Sequence, residues 1–169
     1  MGYVHDTHMS QFIPPAAITK TAGTWTPSVV SNVIKEARTA GAAAFTLLIP
    51  IPIPSNACER KGAKLKSIDI WYKIATAAAT DFATVTLNQT GLPGDADAPA
   101  GAAAAIILDS AHNTAAKRKA EADHKLTVTL DAPVWLSEND AYFLQLVVDA
   151  AATTVFTLYG ARANYELRI

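Results

Sequence analysis

From Phe45 onward, apolar and other positions alternate with a period of two: Phe45, Leu47, Ile49, Ile51 and Ile53 fall on one face, Pro50, Pro52 and Pro54 on the other. That period predicts a half-buried strand, and three prolines at spacing two delete successive N–H donors along one lateral edge, so the strand is expected at a sheet edge blocked on one side. Alternation returns in 64–74, with Ile68, Ile70, Tyr72 and Ile74 opposite Ser67, Asp69, Trp71 and Lys73. Residues 83–87 set Ala83, Val85 and Leu87 against Phe82, Thr84 and Thr86, and 102–108 reads as a short strand. Leu126, Val128 and Leu130 alternate with Lys125, Thr127 and Thr129, and Tyr142, Leu144, Leu146 and Val148 with Phe143, Gln145, Val147 and Asp149. The last segment offers Phe156 and Leu158, then Ala161, Ala163, Tyr165, Leu167 and Ile169, and Gly160 between them is the expected site of a bulge where the facing shifts.

Between these strands the punctuation is clear. Residues 88–101, ending in GLPGDADAPAG, are turn-forming. Residues 113–123, NTAAKRKAEAD, are rich in helix formers, which predicts a short helix with Asn113 as N-cap or a charged excursion between two strands. Residues 28–41 are ambiguous, since Val29, Val30, Val33, Ile34 and Ala37 fit one helical face while their β-branched richness leans to strand. Residues 1–27 carry scattered apolar side chains and Pro14-Pro15 without a period, and read as an extended arm that either packs on its own domain or docks on a neighbour. The sum is an all-β chain: a two-layer antiparallel β-sandwich, jelly-roll-like, of about eight strands in residues 28–169, preceded by an extended N-terminal arm over 1–27.

Composition narrows the function classes. Of the 169 residues 34 are Ala, so the bulky apolar fraction is well below the 50% hydrophobic total, though one domain of this size still buries a core. Fourteen basic against 15 acidic residues give a net charge of −1, which provides no overall pull toward nucleic acid or anionic lipid, and neither partner is expected. The apolar runs are too short and too proline-broken for a bilayer span of about 20 residues. The N-terminal MGYVHDTHMS lacks the basic and apolar regions of a signal peptide, and synthesis in a reducing cytoplasm is expected. A single cysteine, Cys58, makes neither an internal disulfide nor a zinc site.

No constellation of catalytic residues stands at motif spacing, and no enzyme activity, metal or cofactor is expected. The four histidines are His5, His8, His112 and His124, and none belongs to a triad or an H-E-x-x-H pattern. Asp95 and Asp97 lack the further oxygen ligands of a calcium loop. Lys117-Arg118-Lys119 is followed at once by Glu121 and Asp123, so i, i+4 pairing of Lys117 with Glu121 on a solvated face accounts for it. The informative residue is Trp71, placed on the polar face of its strand beside Asp69 and Lys73, where a large aromatic needs cover: from the arm or a loop, from a subunit interface, or from a stacked sugar. Phe143, outward on its own strand, raises the same question. With the apolar anchors of the arm, the candidate interface residues are Tyr3, Phe12, Ile13, Trp25, Trp71 and Phe143.

The order of GTWT (23–26), IPIPIP (49–54), KLKSIDIWYKIATAAATDFATVTL (64–87), KLTVTLDAPVW (125–135) and DAYFLQLVVDAAATTVFTLYGARANY (140–165) resembles small β-sandwich virion proteins of tailed phages and environmental viruses. These motifs are structural. The resemblance covers residues 23–169, leaves 1–22 and KRKAEAD without a counterpart, and implies a place in a capsid or tail assembly. On that footing the expected function is a non-enzymatic capsid decoration, cement or head-fibre protein, located in the virion and made in the host cytoplasm. It would dock on a major capsid or other virion protein and form a homo-oligomer, with a trimer favoured. The alternative is a carbohydrate-binding β-sandwich module that holds a glycan on an exposed aromatic. Removal of residues 1–22 is expected to leave a folded domain that no longer docks.

Overall fold

The computed structural model describes residues 6–54, 62–93, 98–133, 135–136 and 139–168. Among them the strands are β1 Asp6–Ile13, β2 Thr19–Lys20, β3 Trp25–Val30, β4 Val33–Arg38, β5 Ala43–Ile51, β6 Ala63–Ala75, β7 Asp81–Gly91, β8 Ala100–Ala103, β9 Ile106–Leu108, β10 Ala122–Leu130, β11 Asp140–Ala150 and β12 Val155–Arg168, with a one-turn helix α1 at Ala115–Arg118. One sheet runs β3-β4-β12-β6-β10-β9, with β1 also on β12, and the other β2-β5-β11-β7-β8. Every pairing is antiparallel. Taken as eight strands in chain order, β4, β5, β6, β7, β8, β10, β11 and β12 lie as first-last-third-sixth in one sheet and second-seventh-fourth-fifth in the other, which is the jelly-roll order. The chain is a two-layer antiparallel β-sandwich, and β1, β2, β3 and β9 are short additions to its edges.

The period-two positions fill the space between the layers. Phe45, Leu47, Ile49, Ile70, Tyr72, Ile74, Leu126, Val128, Leu144, Leu146, Phe156 and Leu158 are all buried. Gly160 is the bulge: the pairing of β12 with β6 shifts between Leu158 and Gly160, and Ala161 and Ala163 then turn inward. Of the three prolines only Pro50 stands in a strand and acts as its spacing predicts; β5 ends at Ile51, so Pro52 and Pro54 lie beyond it. Pro50 faces the free side of β5, whose other side pairs with β11, and β2 covers β5 only at Leu47 and Leu48. In β7 the expected facing is corrected, because Phe82 is buried with Leu87 while Ala83 is exposed. A register irregularity opposite Val147 and Asp149 turns Phe82 inward against Tyr72, at 5.6 Å between ring centroids.

Residues 28–41 are strands. Ser31 and Asn32 both have positive φ, 50° and 65°, the left-handed pair of a two-residue hairpin turn, and Val30 pairs with Val33 across it. Residues 102–108 divide into the end of β8 and β9, the chain crossing between sheets at 104–105. The N-terminal segment is extended, and from residue 6 it lies on its own domain: β1 pairs with β12 over eight positions, Asp6↔Arg168 to Ile13↔Ala161, and Ile13 and Ile18 join the core.

The basic triplet is also corrected. Arg118 is 5% exposed and its guanidinium donates to the carbonyls of Phe82, His112 and Ala83. Lys117 reaches Ser110 O and Asn113 Oδ1, and Lys119 reaches Thr80 O. Thr114, one residue after the expected Asn113, caps α1 by accepting from the Lys117 N–H. The excursion is a clasp that satisfies carbonyls at the end of the sandwich, a use of cations that no local spacing reveals.

These contacts reverse the expectation for a chain lacking residues 1–22. It would lose the β1 ladder and two core isoleucines, each worth about 1.5–3 kcal/mol of burial. The expected outcome is a lowered thermal midpoint with loss of near-UV signal, measured by circular dichroism against the full chain.

Candidate functional site

The outer face of the first sheet is assembled where β12 changes neighbours. On the side away from β6, its residues Phe156 to Leu158 pair with β4, and Ala161 to Arg168 pair with β1. Gly160 stands at the changeover with φ of 119°; a Cβ there would meet Ile13 O at 2.7 Å and the Phe12 ring at 2.9 Å. Because β1 takes the place beside β12, the β3–β4 hairpin separates from the sheet beyond Glu36. A groove of about 530 Å³ opens between hairpin and sheet, with Val33 and Ile34 on one wall, Phe12 and Trp71 on the other, and Asn32, Tyr159 and Arg162 completing it.

Alternation alone dictates the position of Trp71. Its neighbours across the strands are Lys125 and Gly160. The Arg162 guanidinium lies 5.2 Å from the Trp71 ring centroid and the Lys125 ammonium 5.7 Å from it, so the half-buried indole is held between cations. Both cations answer to Asp69, two residues earlier on β6 and 4% exposed. Its Oδ2 accepts from Arg162 Nη2 at 2.8 Å and Asn164 Nδ2 at 3.1 Å, and its Oδ1 from Thr127 Oγ1 at 2.8 Å, with Lys125 Nζ at 3.4 Å. Burial by itself would raise the Asp69 carboxyl; the bonds from Arg162, Thr127 and Asn164 and the Lys125 charge outweigh it and hold the group below the usual carboxylate range.

An apolar margin adjoins this paired centre. Val29, Val30, Val33 and Ile34 of the hairpin are 69, 51, 48 and 43% exposed, and Phe12 is 53% exposed. Of these, Phe12, Val33 and Ile34 line the groove, and exposed apolar side chains so placed mark a contact surface.

Of the residues singled out from the sequence, Phe12 and Trp71 meet at this groove. Ile13 is 2% exposed and cannot serve an interface, since the pleat turns it inward beside outward Phe12. Trp25 is a core flank: its ring stands edge-on to Phe45 and Phe156 at 5.4 and 6.2 Å and its N–H donates to Ala22 O. Phe143, half-buried, lies on the outer face of the second sheet opposite Pro50 and Asn88. Tyr3, His5, Cys58, Asp95 and Asp97 lie outside the described residues. Val33, Ile34, Tyr159 and Arg162 went unmarked in the sequence; a Ser-Asn pair between two β-branched pairs was the local signal of a hairpin with an apolar apex. Among the described residues no group of three or more His, Cys, Asp or Glu could hold a metal ion.

No family model matches the chain and no curated protein does. Solved structures similar to it include the CBM22-1–GH10 modules of the Clostridium thermocellum endo-1,4-β-D-xylanase 10B complexed with xylohexaose, at 9% identity and a TM-score of 0.40, covering 96% of this chain and 28% of that one. A low-affinity xylan-binding module, CBM86, from Roseburia intestinalis matches at 9% identity and 0.38, over 94% of this chain and 96% of that one. The enzymatically active domain of tailspike protein 4 of bacteriophage CBA120 matches at 9% and 0.36, over 93% of this chain and 19% of that one. Likenesses this distant assign nothing to the groove, which stands on its own geometry.

Asp69→Asn removes the anion that both cations share. The expected cost is about 1–3 kcal/mol at neutral pH, read from the denaturant midpoint. Because the folded carboxyl is depressed, the wild-type contribution is complete above the unfolded value of about 3.9 and is lost as pH falls through the lower folded value. The variant is expected to lack that acid limb.

Proposed function

We propose that this chain is a non-enzymatic docking and assembly protein whose working surface is the groove and hairpin apex on the outer face of the first sheet, and whose partner there is a second copy of itself. The observation that carries the reading is the exposed apolar set Phe12, Val33 and Ile34 lining the open groove, with Val29 and Val30 exposed on the same hairpin. Apex and groove are a knob and a hole on one molecule. Seating the apex of one copy in the groove of the next is a heterologous contact, which closes as a ring when the rotation permits, a trimer being the smallest such ring beyond a dimer. The two cations beside Trp71 are already paired through Asp69. The resemblance to virion proteins supplies the setting: a decoration, cement or head-fibre role in a capsid or tail, with a major capsid or other virion protein as the larger partner.

A second reading, saccharide binding in the same groove, is favoured by the company of Trp71 and Tyr159 with the hydrogen-bonding Arg162 and Asn32. It ranks behind because Arg162 and Lys125 already lie over the Trp71 ring, where a pyranose would have to displace them, and because Val33 and Ile34 form an aliphatic wall.

Light scattering of the full chain up to about 0.1 mM is expected to give an oligomer, in the affinity range of weak specific contacts. Val30→Lys at the apex is expected to return it to the mass of one chain with an unchanged far-UV spectrum. A wild-type chain that stays monomeric throughout overturns self-association. Indole fluorescence that then responds to soluble oligosaccharides in the wild type, and not in Trp71→Ala, would establish the saccharide reading.

A further inference from the structure

On the strands that carry the groove, residues 109–121 fold over β6 and β10 and carry a buried chain of acceptors and imidazoles, joined to Asp69 through Thr127, which bonds both Asp109 and Asp69. Asp109 Oδ1 lies 2.8 Å from His112 Nδ1, His112 Nε2 lies 3.1 Å from His124 Nδ1, and His124 Nε2 lies 2.9 Å from the Ala120 carbonyl oxygen. His112 and His124 are 6 and 9% exposed. Both ends of this chain are acceptors, so the three contacts need three protons on the four ring nitrogens. Two neutral imidazoles bring only two. Every combination of neutral tautomers leaves at least one contact with two lone pairs facing each other, and closing all three requires one imidazolium.

We infer that the Asp109–His112–His124–Ala120 chain is a proton-dependent clasp, which holds one proton beyond the two neutral rings and loosens residues 109–121 when rising pH removes it.

Asp109, the carboxylate partner of His112, is fixed as an anion. Burial would raise that carboxyl, but the N–H of Thr127, the His112 ring and the N–H of Ala111 outweigh burial and hold it below the usual range. His124 has its affinity for a second proton reduced, first by burial and then by the neighbouring His112, with Ala120 O and Asp123 opposing. Its Nε2–H is donated to Ala120 O, and the third proton lies between its Nδ1 and His112 Nε2. From β6, Tyr72 stacks on the His124 ring at 4.6 Å and donates its O–H to the Arg118 carbonyl; burial keeps it protonated well above neutral pH. From α1, Arg118 donates to the His112 carbonyl, and Asp81 at the start of β7 lies in its field. From β10, Asp123 is ion-paired with Lys73 of β6. The only anion bonded to an imidazole nitrogen here is Asp109.

The clasp is mechanical as well as electrostatic. Asp109 also accepts the Thr127 N–H of β10, Arg118 ties the Phe82 and Ala83 carbonyls, and Ala79 N–H donates to Lys119 O, so the segment closes the core over Tyr72 and Phe82. Losing the proton leaves a lone-pair contact inside this closure, and a folded state that binds more protons than the unfolded chain loses stability as pH rises.

The test uses the ¹⁵N-labelled full chain. Long-range ¹H–¹⁵N correlation of the imidazoles near neutral pH and below is expected to show three of the four ring nitrogens of His112 and His124 carrying protons, His124 Nε2 among them. Raising pH from about 6 to about 9 is expected to remove the third proton and to speed the intrinsic-rate-corrected amide exchange of Ala79, Arg118 and Lys119 by about tenfold, the scale of one unsatisfied buried contact, with the β11 amides unaffected. In His112→Gln that pH dependence should vanish; should this variant not fold, the wild-type titration alone decides. Two neutral rings at about pH 6, or clasp exchange that does not change with pH, would overturn the inference.

Discussion

The bulge at Gly160 is the constraint on which the first sheet depends. β12 is its longest strand, paired along one side with β6 and shared on the other between β4 and β1. One strand can serve two neighbours in succession only if the ladder breaks between them. The break needs a residue without a Cβ, because β1 ends with the Ile13 carbonyl and the Phe12 ring against that point. The same changeover turns Ala161 and Ala163 inward, where their small side chains let Ile13 pack, and it leaves the hairpin beyond Glu36 with nothing beside it. A groove is the geometric result of a register decision.

The polar half of that face is organised by one buried anion. A carboxylate taken out of water is costly unless its lone pairs are used, and Asp69 has Arg162, Asn164, Thr127 and Lys125 around it. The two cations thus held in place clamp the Trp71 indole, so an aromatic on an outer face is fixed without being covered. In the clasp the same economy works with opposite sign: the Arg118 guanidinium satisfies three carbonyls.

Edges complete the picture. Pro50 guards β5, and the hairpin register turns Pro27 of β3 outward, so strand addition is discouraged on that side of both sheets. An assembly built by this chain must then use side chains rather than backbone ladders there. The exposed hairpin apex supplies them, in keeping with the docking role proposed for the groove.

The alternation of Ile68 to Ile74, Leu126 to Leu130 and Tyr142 to Val148 determined by itself that the chain is a β-sandwich, because a period of two leaves one face to bury and the facing of each strand follows from its own residues. Spacing likewise determined the proline-guarded edge and the bulge at Gly160, both being properties of a single strand. Trp71 was legible as an anomaly for the same reason. Tertiary structure alone decided what surrounds it. That Phe12 of β1 and Ile34 of β4 face each other across a groove depends on which strands adjoin β12, a pairing between segments far apart in sequence. The burial of Arg118 and the contact of His112 with His124 depend on residues 109–121 folding back over Tyr72. Local pattern fixes the face a residue points to; the neighbour it meets there is set by the order of strands, and in a jelly roll that order interleaves the two ends of the chain.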